Sequence, residues 1–310
     1  MRIVFMGTPR VAALSLERLL HSPHAVAGVV TQPDRPTGRG QKPAPSPVRT
    51  VAEKHGVAVL APEKIRDPAF LAALTAWSPD VIAVVAYGRI LPRQILELAP
   101  RGCLNVHYSL LPKYRGAAPV AWAVINGEEK SGVTTMHLVE KMDAGPILLQ
   151  RGIALTADET TASLQEKLAP VGADLLLETL AGIAAGTVTP KTQDEAAATY
   201  APMIKKEDGL IDWSLPAAAI ERRVRGFTPW PTAYTHFDGA LLKIHRARVV
   251  ESEKAPPGEV VRADRSGLWV AAGAGALALE EVQLENRKRV GAAEFLNGSR
   301  IEKGARLGAG

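Results

Sequence analysis

Apolar positions in the first 185 residues fall into two alternating patterns. Residues 2–6 and 26–31 are short apolar runs of strand type, and Val81-Ile82-Ala83-Val84-Val85 is apolar at every position. A run apolar on both faces marks a central parallel strand covered by helices on each side. Between these runs, residues 9–20 place Val11, Leu14, Leu16 and Leu19 at helical spacing. Residues 48–55 and 68–77 repeat that pattern, and further strands are predicted at 57–60, 102–107 and 132–139. Residues 159–185 read as one or two helices, with Thr156 or Asp158 as the cap. Strands alternating with helices predict a doubly wound, mostly parallel, Rossmann-like α/β sheet.

The texture changes after residue 187. Residues 187–202 are polar and irregular, which suits a linker. A helix is expected over 212–225, followed by short strands at 233–237, 241–250, 258–261, 267–272 and 276–282. Short strands with turns at this spacing predict a small OB-like β-barrel. The expected organisation is a first domain at 1–187, a linker at 188–205 and a second domain at 206–310.

Composition narrows the classes. A chain of 310 residues, 46% hydrophobic and 22% charged, is an ordinary globular mixture and long enough for two cores. The single cysteine, Cys103, excludes an internal disulfide and a cysteine-based zinc site. The opening apolar run is too short for a signal peptide, and no stretch is read as approaching the ~20 apolar residues of a membrane helix. A soluble cytoplasmic protein is therefore expected. The formal charge of +5 is compatible with a polyanionic partner or with a mildly basic surface.

Three polar residues carry candidate chemistry. Asn105 and His107 lie on one face of the strand at 102–107, because side chains alternate. Asp143 follows the strand at 132–139, and ligands of open α/β sheets bind outside the carboxyl ends of strands. An Asn amide can donate to an oxygen that gains charge, and an imidazole can take the proton from an attacking amine. A carboxylate can orient that imidazole. Such a set suits acyl transfer to an amine through a tetrahedral intermediate, with no covalent nucleophile. The turn at Gly7 lacks the G-x-G-x-x-G pattern, so no nicotinamide site is read there.

The segment Asn105-Val106-His107-Tyr108-Ser109-Leu110-Leu111-Pro112-Lys113-Tyr114-Arg115-Gly116-Ala117-Ala118-Pro119 resembles the signature of the folate-dependent formyltransferases. Met142-Asp143-Ala144-Gly145-Pro146-Ile147 resembles the second block of that family. The resemblance implies that Asn105 stabilises the oxyanion, that His107 assists proton transfer, and that Asp143 positions His107 and the amine. It also implies contacts to 10-formyltetrahydrofolate from Ser109, Leu110, Leu111 and Pro112, and a pterin pocket lined by Tyr87, Gly88, Ile90 and Leu91. No metal is implied.

The acceptor needs separate argument. Phe5-Met6-Gly7-Thr8-Pro9, the loop at 31–42 and Thr228-Pro229-Trp230-Pro231 are similar to the members of the family that formylate the amine of initiator methionyl-tRNA. In that reading the loop, with Arg35, Arg39 and Lys42 among Gly and Pro, wedges into the tRNA acceptor end, with Arg39 as its main contact. Lys205, Lys206 and further basic residues of the second domain, including Arg222, Arg225, Arg246, Arg248 and Arg289, would hold the tRNA by phosphate contacts that read little sequence. The implied partners are tRNA and folate, with no DNA and no membrane, and the chain is expected to act as a monomer. Three other readings stay open. One is a formyltransferase for a small amine, such as a ribonucleotide or amino-sugar nucleotide. Another is a formyl-folate hydrolase, and the last an RNA-binding protein with an inactive α/β domain.

Overall fold

A computed structural model describes the backbone of residues 1–37 and 42–308, with the side chains of 35–43 outside the description. The chain divides into two compact units: Met1–Pro119 with Lys130–Ala154 and Gln165–Ala201, and Val120–Glu129 with Leu155–Leu164 and Pro202–Gly310.

In the first unit the elements run β1 (Arg2–Gly7), α1 (Arg10–Leu20), β2 (Ala25–Val30), β3 (Arg35–Thr37), β4 (Lys42–Ala44), α2 (Pro47–Lys54), β5 (Val59–Leu60), α3 (Pro68–Ala76), β6 (Val81–Val85), α4 (Arg93–Leu96), β7 (Cys103–His107) and β8 (Arg115–Gly116). The chain then passes through α5 (Pro119–Ile125), most of which belongs to the second unit. The first unit resumes with β9 (Lys130–His137), β10 (Ile147–Ala154), α6 (Thr161–Ala185, whose first turn belongs to the second unit) and β11 (Tyr200–Ala201). The large sheet has the order β10-β9-β7-β6-β1-β2-β5. Strands β5, β2, β1, β6 and β7 are parallel; β9 is antiparallel to β7, and β10 to β9.

Local sequence explains the helix starts. Ser46 accepts from the Arg49 N–H at 3.0 Å and Asp67 from the Ala69 N–H at 2.8 Å, each before a proline at the first helical position. Burial then selects the two faces of the sheet. Val4 and Met6 of β1 join Ile82 and Val84 of β6, Phe70 and Leu74 of α3, and Ile95 of α4 in one cluster. Alternation turns Ile3, Phe5, Ala83 and Val85 to the other face, also fully buried, where α1 packs.

Helix α6 corrects the expectation about apolar stretches: it is long and apolar enough, by length and composition, to cross a membrane. Here it behaves as a core helix. Leu168, Leu175, Leu176 and Leu180 are buried, and Thr179 hydrogen-bonds Thr135 of β9 at 2.7 Å.

The second unit is built on an antiparallel sheet. It contains α7 (Ala217–Gly226), β12 (Ala233–Phe237), β13 (Ala240–Val250), β14 (Val260–Asp264), β15 (Gly267–Ala271), β16 (Ala276–Leu284), β17 (Val290–Gly291) and α8 (Ala292–Gly298). The order is β12-β13-β16-β15-β14, with β17 on β16. Its core includes Trp213, Ile220, Val224, Leu242, Ile244 and Leu277. Helix α7 starts five residues later than the expected 212, because Asp212 accepts from the Ser214 N–H at 2.9 Å and Pro216 then opens the helix.

Ile82 has no exposed surface in β6, so truncation leaves a void in the central strand. Ile82→Ala is expected to lower the unfolding free energy by about 2–5 kcal/mol in urea denaturation.

Candidate active site

Strand β7 ends at His107 and carries Asn105 two residues earlier, between Val84 of β6 and Met136 of β9. The two side chains share a face, about 7 Å apart along the strand. The His107 ring is buried, and its Nε2 lies 2.9 Å from the Tyr114 carbonyl oxygen. A carbonyl only accepts, so Nε2 carries a hydrogen and Nδ1 is the atom that faces Asp143 Oδ2, 3.7 Å away. That separation is too long for a hydrogen bond. Asp143 Oδ2 instead accepts the Gly116 N–H at 2.8 Å.

Burial lowers the His107 pKa from its ordinary value, outweighing the Asp143 carboxylate and the Tyr114 carbonyl, which raise it. The imidazole is therefore neutral near pH 7, with an acceptor nitrogen turned toward a carboxylate.

Asp143 does not reach His107 by sharing a strand edge, as the sequence reading assumed. Because β9 is antiparallel, Thr134 pairs with His107 and His137 with Leu104, which puts the carboxyl end of β9 at the opposite edge. The connection at 138–146 carries the aspartate back. Asp143 sits at φ 49°, and Gly145 passes so close to His137 that a Cβ there would lie 1.8 Å from the carbonyl oxygen of His137.

Three residues without an assigned role in the sequence complete the site. Arg115, 1% exposed, donates from Nε and Nη2 to Gln193 Oε1 at 3.0 and 2.9 Å, and from Nη1 and Nη2 to Glu195 at 3.1 and 3.0 Å. Gln193 Nε2 donates to the carbonyls of Asp143 and Gly145 at 2.8 and 2.7 Å. Hydrogen bonds from Arg115 and Lys141 hold the Glu195 carboxyl down to about 2, so it stays ionised across the physiological range. The polar run around Gln193 reads as linker and carries no sequence signal of this role.

The remaining candidates are more dispersed. The Ser109 hydroxyl donates to Lys113 O at 2.6 Å, and the Leu111 N–H donates to Thr134 Oγ1 at 3.1 Å while Gln150 holds the Leu111 carbonyl at 2.9 Å. Leu110 and Pro112 are partly buried in the same loop. Tyr87 and Leu91 are buried in the core beside α4, and the Tyr87 hydroxyl is buried without a partner among the described residues. Gly88 is exposed and Ile90 is 74% exposed.

Among the basic candidates, Arg39 lies outside the described residues. Arg35 and Lys42 fall in β3 and β4, which pair as a short hairpin, and their side chains also lie outside the description. Lys205 and Lys206 are exposed in the second unit. Several other basic residues there are neutralised: Arg225 pairs with Glu221, Arg246 and Arg248 with Glu280, and Arg289 with Glu281. The basic surface is thus smaller than a count of cations implies. A cavity of about 870 Å³ in that unit is lined by Arg287, Lys288, Arg300 and Arg306, with Asp238 and Glu294.

Comparison with known proteins matches this architecture domain by domain. A family model described as formyl transferase covers residues 1–180, and one described as formyl transferase, C-terminal domain, covers 203–300. The chain is 50% identical over 308 residues to methionyl-tRNA formyltransferase of Citrifermentans bemidjiense, covering 99% of this chain and 96% of the relative. It is 51% identical over 302 residues to methionyl-tRNA formyltransferase of Desulfotalea psychrophila, covering 97% and 94%. The crystal structure of HypX from Aquifex aeolicus in complex with tetrahydrofolic acid matches with a TM-score of 0.62 at 19% identity, over 98% of this chain. This chain spans about half of that protein (50%), and the likeness there is one of fold.

The facing Nδ1 and carboxylate set a testable titration. Imidazole NMR is expected to give His107 an apparent pKa below 6.5, the ordinary histidine value. Asp143→Asn is expected to move it lower still, because the raising charge is gone. A wild-type value above 6.5 would mean that the carboxylate, not burial, controls the ring.

Proposed function

Because the chain belongs to the formyl transferase family, we propose that it transfers the formyl group of 10-formyltetrahydrofolate to the free amine of initiator methionyl-tRNA, in the cytoplasm, for translation initiation. The observation that carries the acceptor assignment is the length of the likeness: relatives named for methionyl-tRNA are matched through both units at about half identity. The geometry at His107 supports the chemistry.

When bound, the folate supplies an activated formyl group whose C–N bond is broken. The residues of this chain do the rest. Nδ1 of neutral His107 takes a proton from the attacking amine as the new N–C bond forms, and the Asp143 carboxylate, 3.7 Å away, stabilises the resulting imidazolium. The Asn105 amide donates to the formyl oxygen as charge builds there. His107 then returns its proton to the departing folate nitrogen.

A donor of this kind fits the carboxyl edge of the parallel strands. The exposed Ile90 side chain, just past Ala86 at φ 46°, presents apolar surface to a planar heterocycle, and the ordered Ser109–Pro112 turn stands at the end of the neighbouring strand. For the acceptor, the exposed Lys205 and Lys206 and the Arg287, Lys288, Arg300 and Arg306 cavity offer phosphate contacts. Arg35, Arg39 and Lys42 would add a clamp at the acceptor end.

Formyl transfer assayed with methionyl-tRNA, uncharged tRNA and small amine nucleotides is expected to succeed with the charged tRNA alone. Transfer to a small amine would keep the folate site and replace the acceptor. Asn105→Ala and Asp143→Ala are each expected to lower kcat by about 10²–10⁴ with the fold retained by circular dichroism. Near-normal turnover in either would remove that residue from the mechanism. Arg39→Ala is expected to raise KM for tRNA more than KM for folate, and tRNA affinity should fall steeply with salt. A flat salt response would contradict phosphate contacts.

A further inference from the structure

The chain that leaves α6 is stitched along both catalytic loops. Lys191 and Ile147 exchange main-chain hydrogen bonds at 2.8 Å. The Thr199 N–H donates to Pro112 O at 3.2 Å, the Arg115 N–H to Thr199 O at 2.8 Å and the Tyr114 N–H to Thr199 Oγ1 at 2.9 Å. Strand β11 then pairs with β8, so closely that a Cβ on Gly116 would lie 2.5 Å from Ala201 O. Gln193 is buried at the middle of this clasp.

We propose that Gln193 is a positioning residue for Asp143, holding the main chain on either side of the catalytic carboxylate so that it faces His107. Its two N–H bonds go to the Asp143 and Gly145 carbonyls, and its oxygen takes two bonds from Arg115. The amide is fully used in one orientation only. Turned over, it would set N–H against the guanidinium donors and oxygen against two carbonyls. On its other side Arg115 meets Glu195, which in turn pairs with Lys141, so the guanidinium that Gln193 faces is held by a second partner.

The position matters because Asp143 stands at φ 49°, and among the described residues its carboxylate is anchored by the Gly116 N–H. Release of the two carbonyls lets that peptide rotate, and a shift of about 1 Å in a reacting group is enough to cost roughly 10²-fold in rate. Asp143 is the charged group acting on the His107 ring; Tyr114 contributes its carbonyl. Displacing Asp143 therefore changes the titration of His107, whereas simple loss of folded protein does not.

The proposal rests on the assignment of His107 and Asp143 as the proton-handling pair, and three variants separate the two. Gln193→Met keeps the volume and removes every hydrogen bond. It is expected to lower kcat about 10²-fold with KM for the folate donor unchanged, and to move the acid limb of the pH–rate profile to lower pH. Gln193→Glu keeps an acceptor for Arg115 but has no donor for the carbonyls, and should lose kcat to a similar extent. Asp143→Asn should move the acid limb in the same direction as the Met variant. Wild-type kcat in the Glu variant, or a loss in the Met variant that is uniform across pH, would overturn the positioning role. An unmoved profile in Asp143→Asn would overturn the catalytic assignment beneath it.

Discussion

A buried guanidinium organises the candidate active site of this protein. An ion taken out of water costs several kcal/mol unless its donors are met, so the fold must supply acceptors around Arg115. It does so from a distant part of the chain: Gln193 and Glu195 meet the guanidinium, and β11 pairs with the backbone of β8. Once Gln193 is drawn in, its amide donors are left facing the carbonyls of Asp143 and Gly145. Structural need at Arg115 thereby fixes the loop that bears the carboxylate.

The same arrangement sets two opposing influences on a buried imidazole. Burial lowers the His107 pKa, while the nearby carboxylate limits how far it falls, which suits the proposed role of the ring in taking a proton. The carboxylate is tied to the Gly116 N–H rather than to the ring, and stands 3.7 Å from Nδ1.

Much of the fold was legible in the sequence because its central elements are simple. The run at 81–85 is buried at every position, and strands 233–237 and 267–271 declare themselves between turns. What escaped notice lies at edges. β10 lies at the rim of the sheet and its burial shows no clean alternation, and α5 begins at Pro119, the last residue of the signature motif. Asn105, His107 and Asp143 were visible through their motif blocks, but the route that unites them was not. It depends on the antiparallel turn of β9, which reverses the edge where Asp143 begins. Gln193 was invisible for a deeper reason: its role comes from a partner 78 residues away, and a polar run carries no trace of such a contact.

If the Gln193 clasp and the Asp143 carboxylate act as one device, their effects on turnover are coupled. A double-mutant cycle on kcat with Gln193→Met and Asp143→Asn tests this directly. The Gln193 substitution is expected to cost nothing further once the carboxylate is gone, so that the double variant turns over at the rate of Asp143→Asn alone. Losses that multiply independently would show that Gln193 acts elsewhere and would contradict it.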